Sequence, residues 1–128
     1  MFKAMIIAGL GGFIGTCLRF LTGKLAHVIT VSAFPWGTFA VNIIGSFVIG
    51  IFFGLAEKTH VISPSMNVFL ITGFCGGLTT FSTFSAETVF LFQEGRIGWA
   101  LMNMAINMFG SFAMTGIAFW LFSSASAH

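Results

Sequence analysis

Charge is what this sequence has least of. Five Lys or Arg and three acidic residues among 128 leave charged side chains at 6%, where soluble domains carry about 25%. A nucleic-acid surface needs a basic face or stripe, and a formal net charge of +2 resting on so few groups excludes one. Cysteine is almost missing as well. Cys17 and Cys75 share no metal-ligand spacing and no paired motif, which excludes a zinc or redox centre and leaves both as small buried hydrophobes. The two prolines, Pro35 and Pro64, stand between apolar stretches rather than inside them. His27, His60 and His128 fall in connectors or the tail with no nucleophile or carboxylate at a diagnostic spacing, so they read as solvated and no catalytic constellation remains. The sequence is not that of an enzyme.

What it has instead is hydrocarbon. Hydrophobic residues form 57% of the chain, against about 45–50% in soluble domains. They collect in four stretches: Met5 to Leu21, Trp36 to Leu55, Met66 to Phe92 and Gly98 to Phe122. A helix needs about 20 apolar residues to cross roughly 30 Å of hydrocarbon. The expected architecture is therefore an all-α membrane protein, with four transmembrane helices in one domain over residues 1–128. The opening Met1-Phe2-Lys3 mimics a signal peptide, but Arg19 interrupts the stretch and no small-x-small cleavage site follows, so it reads as a retained first helix. Ser63 and Pro64 supply a cap and a first-turn proline for the third helix. The short Gln93-Glu94-Gly95-Arg96 turn makes the third and fourth helices antiparallel neighbours. Trp36, Trp99 and Trp120 sit near span ends, where interfacial aromatics gather. The pairs Gly11/Gly15 and Gly50/Gly54 have the spacing that brings helix backbones close.

The third stretch is too long for one simple span. Its 27 residues would measure about 40 Å as an unbroken helix, and Gly73, Gly76 and Gly77, followed by Thr79 and Thr80, predict a break near its centre. Unwound backbone at membrane depth must be buried in protein or line a cavity, because lipid satisfies no peptide group. With four spans, Lys3 and Lys58 lie on one side of the membrane, Lys24 and Arg96 on the other. The positive-inside rule then has nothing to act on. That balance predicts insertion in both orientations and an antiparallel, dual-topology homodimer of inverted copies.

Polar residues recur at helical spacing within the apolar field. Asn103, Asn107, Ser111 and Thr115 come every four residues in the fourth stretch, and Thr38, Asn42 and Ser46 do so in the second. Such faces cannot lie against lipid; they are either interhelical hydrogen-bond glue or a pathway. Phe81 and Phe84 share one helix face, with Ser82 and Ser85 beside them. The rings are core filling or, because a phenyl edge is partly positive, contacts for a small anion, with amide and hydroxyl groups as neutral donors. Neutral donors hold an ion firmly enough to shed water and weakly enough to release it. Arg19 either snorkels to the interface or forms a basic vestibule that concentrates anions. Glu87, an acid at membrane depth, is functional by default, in a hydrogen-bonding or proton-linked role.

The run Gly-Gly-Leu-Thr-Thr-Phe-Ser-Thr-Phe-Ser from Gly76 to Ser85, together with Gly15 and Arg19, Gly37-Thr38 and Asn42, and Gly110-Ser111, resembles the Fluc (CrcB) family of bacterial fluoride channels. The resemblance covers essentially the whole chain. It implies a passive, fluoride-selective leak across the bacterial inner membrane that lowers cytoplasmic fluoride. The channel would be an antiparallel homodimer in membrane lipid, with two separate pathways. By resemblance Phe81 and Phe84 are the aromatic lining of the pores, Asn42 the pore-lining amide, Asn107 and Ser111 the polar track, and Arg19 the basic residue near the vestibule. Thr38, Ser82 and Glu87 are expected along the same path. The resemblance also implies a structural, untransported Na+ at the dimer axis, held by the backbone carbonyls of Gly76 and Thr79 from both copies. Two alternatives of other classes remain open: a small dual-topology, proton-coupled cation exporter using Glu87, and a non-conducting helical assembly protein.

Overall fold

The computed structural model describes residues 1–58 and 62–125, so the expectations for His60 and His128 lie outside the described residues. Every regular element among them is helical. The elements are α1 (Phe2–Ile29), α2 (Trp36–Lys58), α3 (Pro64–Asn67), a π-helix (Val68–Cys75), α4 (Gly76–Leu78), α5 (Ser82–Gln93) and α6 (Ile97–Ala125). Four helical stretches, Phe2–Ile29, Trp36–Glu57, Pro64–Gln93 and Ile97–Ser123, are long and apolar enough to cross a membrane. The chain is an all-α, multi-pass membrane protein.

α1 outruns its expected end at Leu21 by about two turns. The polar segment beginning at Thr22, expected as a connector, is helical to Ile29, and His27 therefore sits in the last turn of α1. The hydroxyls in this segment do not interrupt it. Thr22 Oγ1 donates to Leu18 O at 2.8 Å, and Thr30 Oγ1 to Ala26 O at 3.1 Å, so each polar group is satisfied by its own helix. At the start of α3, Ser63 Oγ accepts from Met66 N at 3.2 Å with Pro64 in the first turn. The turn into α6 closes on Gly95 at φ 76°, and Arg96 N donates to Leu91 O at 2.8 Å.

Lipid provides no hydrophobic force between helices, so contact depends on close packing. α1 meets the π-helix and α4 through glycines on both sides. A Cβ on Gly11 would collide with the Phe69 carbonyl and one on Gly15 with the Phe74 carbonyl, while one on Gly73 or Gly77 would stand 2.5 Å from Ala8 O or Gly12 O. These glycines are helical packing residues; Gly76 itself has φ −63° and ψ −34°. Within Pro64–Gln93 the chain leaves helical geometry at Thr79, which is extended at φ −85° and ψ 158°, and resumes it at Ser82. α2 and α6 also approach through glycine, since a Cβ on Gly50 would lie 2.5 Å from Thr115 O and one on Gly54 2.8 Å from Phe119 O. Buried Phe34 joins the starts of these two helices, its ring 4.6 Å from Trp36 and 5.7 Å from Trp99.

Polarity runs inside out. Thr38, Asn42, Thr88, Asn103 and Asn107 are buried beside Val41, Leu91, Ala100 and Ala118, whereas Phe13, Phe20, Phe109 and Phe112 are exposed. This reverses the soluble-protein pattern and suits a hydrocarbon solvent. Cys75 is buried, but Cys17, also expected to be buried, is exposed. It follows Gly15 by two residues, about 200° around the helix from the face that packs.

Candidate functional site

Thr80 follows an extended residue, so its amide has no helical carbonyl to find. Asn42 on α2 takes that role. Thr80 N donates to Asn42 Oδ1 at 2.9 Å, and Asn42 Nδ2 donates to Thr80 O at 3.2 Å. Asn42 Nδ2 also donates to Asn107 Oδ1 at 3.1 Å. From there the bonds run on through α6, where i, i+4 spacing stacks Asn103 and Asn107 on one face. Asn107 Nδ2 donates to Asn103 Oδ1 at 2.7 Å and to Asn103 O at 3.1 Å. Asn103 Nδ2 donates to Thr88 Oγ1 at 2.9 Å, and Thr88 Oγ1 to Phe84 O at 2.8 Å. All four side chains of this relay are buried, where an unpaired polar group would be costly. Further along α6, Thr115 Oγ1 donates to Ser46 O at 2.9 Å.

Beside the relay lies an open cavity of about 350 Å³. It brings together Asn42, Phe81, Phe84, Asn107 and Ser111, with Gly76 and Thr79 at its edge. The two phenyl rings are 5.7 Å apart and inclined at 58°. Phe81 is 76% exposed, so the single chain leaves this wall open.

The other expected residues sit elsewhere. A second cavity, of about 330 Å³, is lined by Arg19, Lys24 and His27 of α1, Thr38 of α2, and Thr83 and Glu87 of α5. Half-buried Arg19 donates from Nε to Gly77 O at 3.0 Å, filling one of the carbonyls that the end of α4 leaves without a helical partner. One carboxylate oxygen of Glu87 is buried with no hydrogen-bond partner. Two fixed cations around a single acid give the cavity a positive potential. Thr80 lines both cavities and so forms the wall between them. Ser82 is exposed and lines neither.

Thr80 as the shared wall and Thr88 as the far end of the relay are positions in the candidate site that were not expected from the sequence. Thr88 carries a sequence signal, its four-residue spacing from Phe84, which places both on one face of α5; Thr80, ahead of the start of α5 at Ser82, has no such register. Among the described residues, no group of three or more His, Cys, Asp or Glu could hold a metal ion; any cation here would rest on carbonyl oxygens.

Residues 6–119 match the family described as CrcB-like protein, Camphor Resistance (CrcB). Over all 128 residues the chain is 50% identical to the fluoride-specific ion channel FluC of Escherichia coli strains SMS-3-5 and SE11, covering 100% of each. The matched span takes in both cavities and every residue of the relay, and on that ground the chain belongs to the CrcB family.

Proposed function

We propose that this chain is a fluoride-selective channel of the bacterial inner membrane, through which fluoride leaves the cytoplasm passively and its toxicity is relieved. The observation that carries this reading is the 50% identity, end to end, with fluoride-specific ion channels. Fluoride enters from acidic surroundings as neutral HF and ionises inside. The membrane potential does work of about 2.3 kcal/mol per charge per 100 mV, enough for roughly fiftyfold expulsion of a monovalent anion. No enzymatic step or energy-coupling cofactor is required.

In this reading Arg19 and Lys24 concentrate fluoride in the second cavity, where Thr38 and Glu87 border its entry. Thr80 stands at the passage between cavities. Beyond it Phe81 and Phe84 present partly positive ring edges, in a wall that includes Asn42, Asn107 and Ser111. A neighbouring pair of cations argues against the exporter alternative: Glu87 shares its cavity with Arg19 and Lys24, which repel the cationic cargo such a protein would carry.

The path is completed by an inverted second copy. A pore wall does not face lipid, and the exposure of Phe81 supports closure by a partner. The balance of Lys3 and Lys58 against Lys24 and Arg96 supports insertion both ways. Ser82, exposed on the single chain, reaches the path only in such a pair. The third span is a helix broken near its centre, a reading supported by extended Thr79 and by the capture of Thr80 by Asn42. Among the described residues, neither the Gly76 nor the Thr79 carbonyl receives a hydrogen bond. Both keep lone pairs suited to a hard cation. A structural Na+ there would pin the two copies' breaks together without being transported.

Proteoliposomes loaded with fluoride and read with a fluoride electrode test the function. Rapid fluoride loss with little chloride loss is expected; no fluoride leak, or an equal chloride leak, overturns it. Phe84→Ile should remove most of the flux while the assembly elutes unchanged, and full flux in that variant would take the rings out of the path. For topology, a cysteine added at the C-terminus of a Cys17→Ser background should label from both sides of intact cells. Labelling from one side ends the dual-topology reading.

A further inference from the structure

Histidine is the side chain that ordinarily exchanges a proton between about pH 5 and 8, and His27 stands where a change of charge has consequences. It lines the positive second cavity and also a smaller one beside it, of about 70 Å³. Gly23, Gly37, Thr38 and Glu87 border both, so with His27 they form the partition between the two. A close helix crossing builds this partition. A Cβ on Gly37 would lie 2.9 Å from the Gly23 Cα, which draws the end of α1 onto the start of α2. The connector, turned by the Phe34 N–H donating to Ser32 Oγ at 3.1 Å, supplies a further part of the small cavity's lining.

Glu87 enters the partition from α5. It is half-buried, and its Oε1 is buried with no hydrogen-bond partner, an unmet acceptor that costs free energy. The Thr38 hydroxyl and the His27 ring both lie near enough to act on the carboxylate. His27 itself is exposed in the last turn of α1 and so trades protons with the surrounding water. The remaining charges are anchored. Arg19 is held on Gly77 O at 3.0 Å, and the Lys24 ammonium sits 5.5 Å from the centre of the Phe20 ring. Glu94 and Arg96, in the turn between α5 and α6, pair with each other at 3.2 Å and line neither cavity. The charged groups around His27 are therefore Arg19 and Lys24 from α1 and Glu87 from α5; the residues of α2 that line the two cavities carry no charge. With neutral His27, the Glu87 carboxylate is a negative charge beside Thr38 and Thr80, at the entry to the anion path. A proton gives the imidazole two N–H donors and a positive charge.

We propose that His27 is a proton-operated regulator of fluoride entry: protonated, it pairs with Glu87 at the partition, cancels the one negative charge at the mouth and admits fluoride faster. This rests on the channel reading above. The proton comes from the bathing water and returns to it on the same side, so none crosses with fluoride. The sense of the response suits the task, since acidic surroundings are where HF enters fastest.

Fluoride flux from proteoliposomes, corrected for protein-free liposomes and measured at about pH 5.5 and about pH 7.5, either side of the ordinary histidine range, tests it. The parent should conduct roughly two- to fivefold faster at the acid pH, the effect of one unit charge at the rim of a hydrated cavity. His27→Gln should lose the step and stay near the parent's slower rate. His27→Lys, a permanent cation, should lose it and stay near the faster one. Glu87→Gln leaves no carboxylate to pair, and its step should shrink. A step retained in His27→Gln assigns the titration to another group and overturns the proposal. Equal rates in the Gln and Lys variants at position 27 also overturn it, because charge would then not be what His27 supplies. A step of full size in Glu87→Gln overturns the pairing. A parent that leaks no fluoride at either pH overturns the channel reading and this role with it, whereas a parent that leaks equally at both overturns the role alone.

Discussion

Where α1 meets the π-helix and α4, the contact is backbone against backbone with glycine on both faces; where α2 meets α6 beside Thr80, three buried asparagines join the helices amid their own glycines. Both interfaces form without help from water, and they solve the problem differently. Dispersion across the glycine face is the sum of many small terms with no donor or acceptor sense. It can set distance, but it cannot tell one polar arrangement from another. The asparagine relay contributes fewer contacts and specifies an orientation for every member. Close packing serves both interfaces, since Gly50 and Gly54 bring α2 against α6 as well; only the second also sets the geometry of the site.

Three substitutions break or sharpen that contrast. Gly15→Leu should have the largest effect, about 3 kcal/mol, the upper end of overpacking, because the added atoms strike the Phe74 carbonyl and come within 2.7 Å of Leu78 N where the Cβ alone would lie. Unfolding in mixed micelles should show this as loss of the folded chain, not as a selective loss of conduction. Asn107→Leu should cost less, about 2 kcal/mol, since it strands one Asn42 N–H and the Asn103 Oδ1 in the interior. Its fluoride flux should nevertheless collapse in whatever folds, a disproportion that the glycine variant lacks. Thr115→Val should be the mildest, about 0.6 kcal/mol for one interhelical bond to Ser46 O. With flux close to the parent, it would show that a hydrogen bond outside the relay stabilises without directing.

Much of this was legible in the sequence, for reasons that differ by element. The four spans follow from the number of apolar residues needed to cross hydrocarbon. The end of α1 did not, because Thr22, Lys24 and His27 look like a connector until Lys24 and His27 are seen to line a cavity with Glu87. Asn103 and Asn107 stood out through their spacing and their cost in lipid. Thr88 did not, because one threonine in an apolar helix can satisfy itself on the preceding turn. Its second role depends on an Asn from another helix, a tertiary fact with no local signature. Gly73, Gly76 and Gly77, followed by Thr79 and Thr80, were read as the break, yet the glycines are helical, with Gly73 and Gly77 packed against α1, and the extended backbone begins at Thr79. Glycine marks both unwinding and close approach, and composition does not separate the two.

The bond between Asn42 and Asn107 also has a consequence in time. Its partners are 65 positions apart, and at about 5–20 residues per second of synthesis the first waits roughly 3 to 13 seconds for the second to be made. During that interval α2 has only α1 and the third span to turn to, and Asn42 can already hold Thr80. α6 therefore arrives as the closing member of a half-built scaffold, and a nascent chain stopped before it exposes unpaired amide groups to lipid or to the insertion machinery, a natural mark of incompleteness for quality control to recognise.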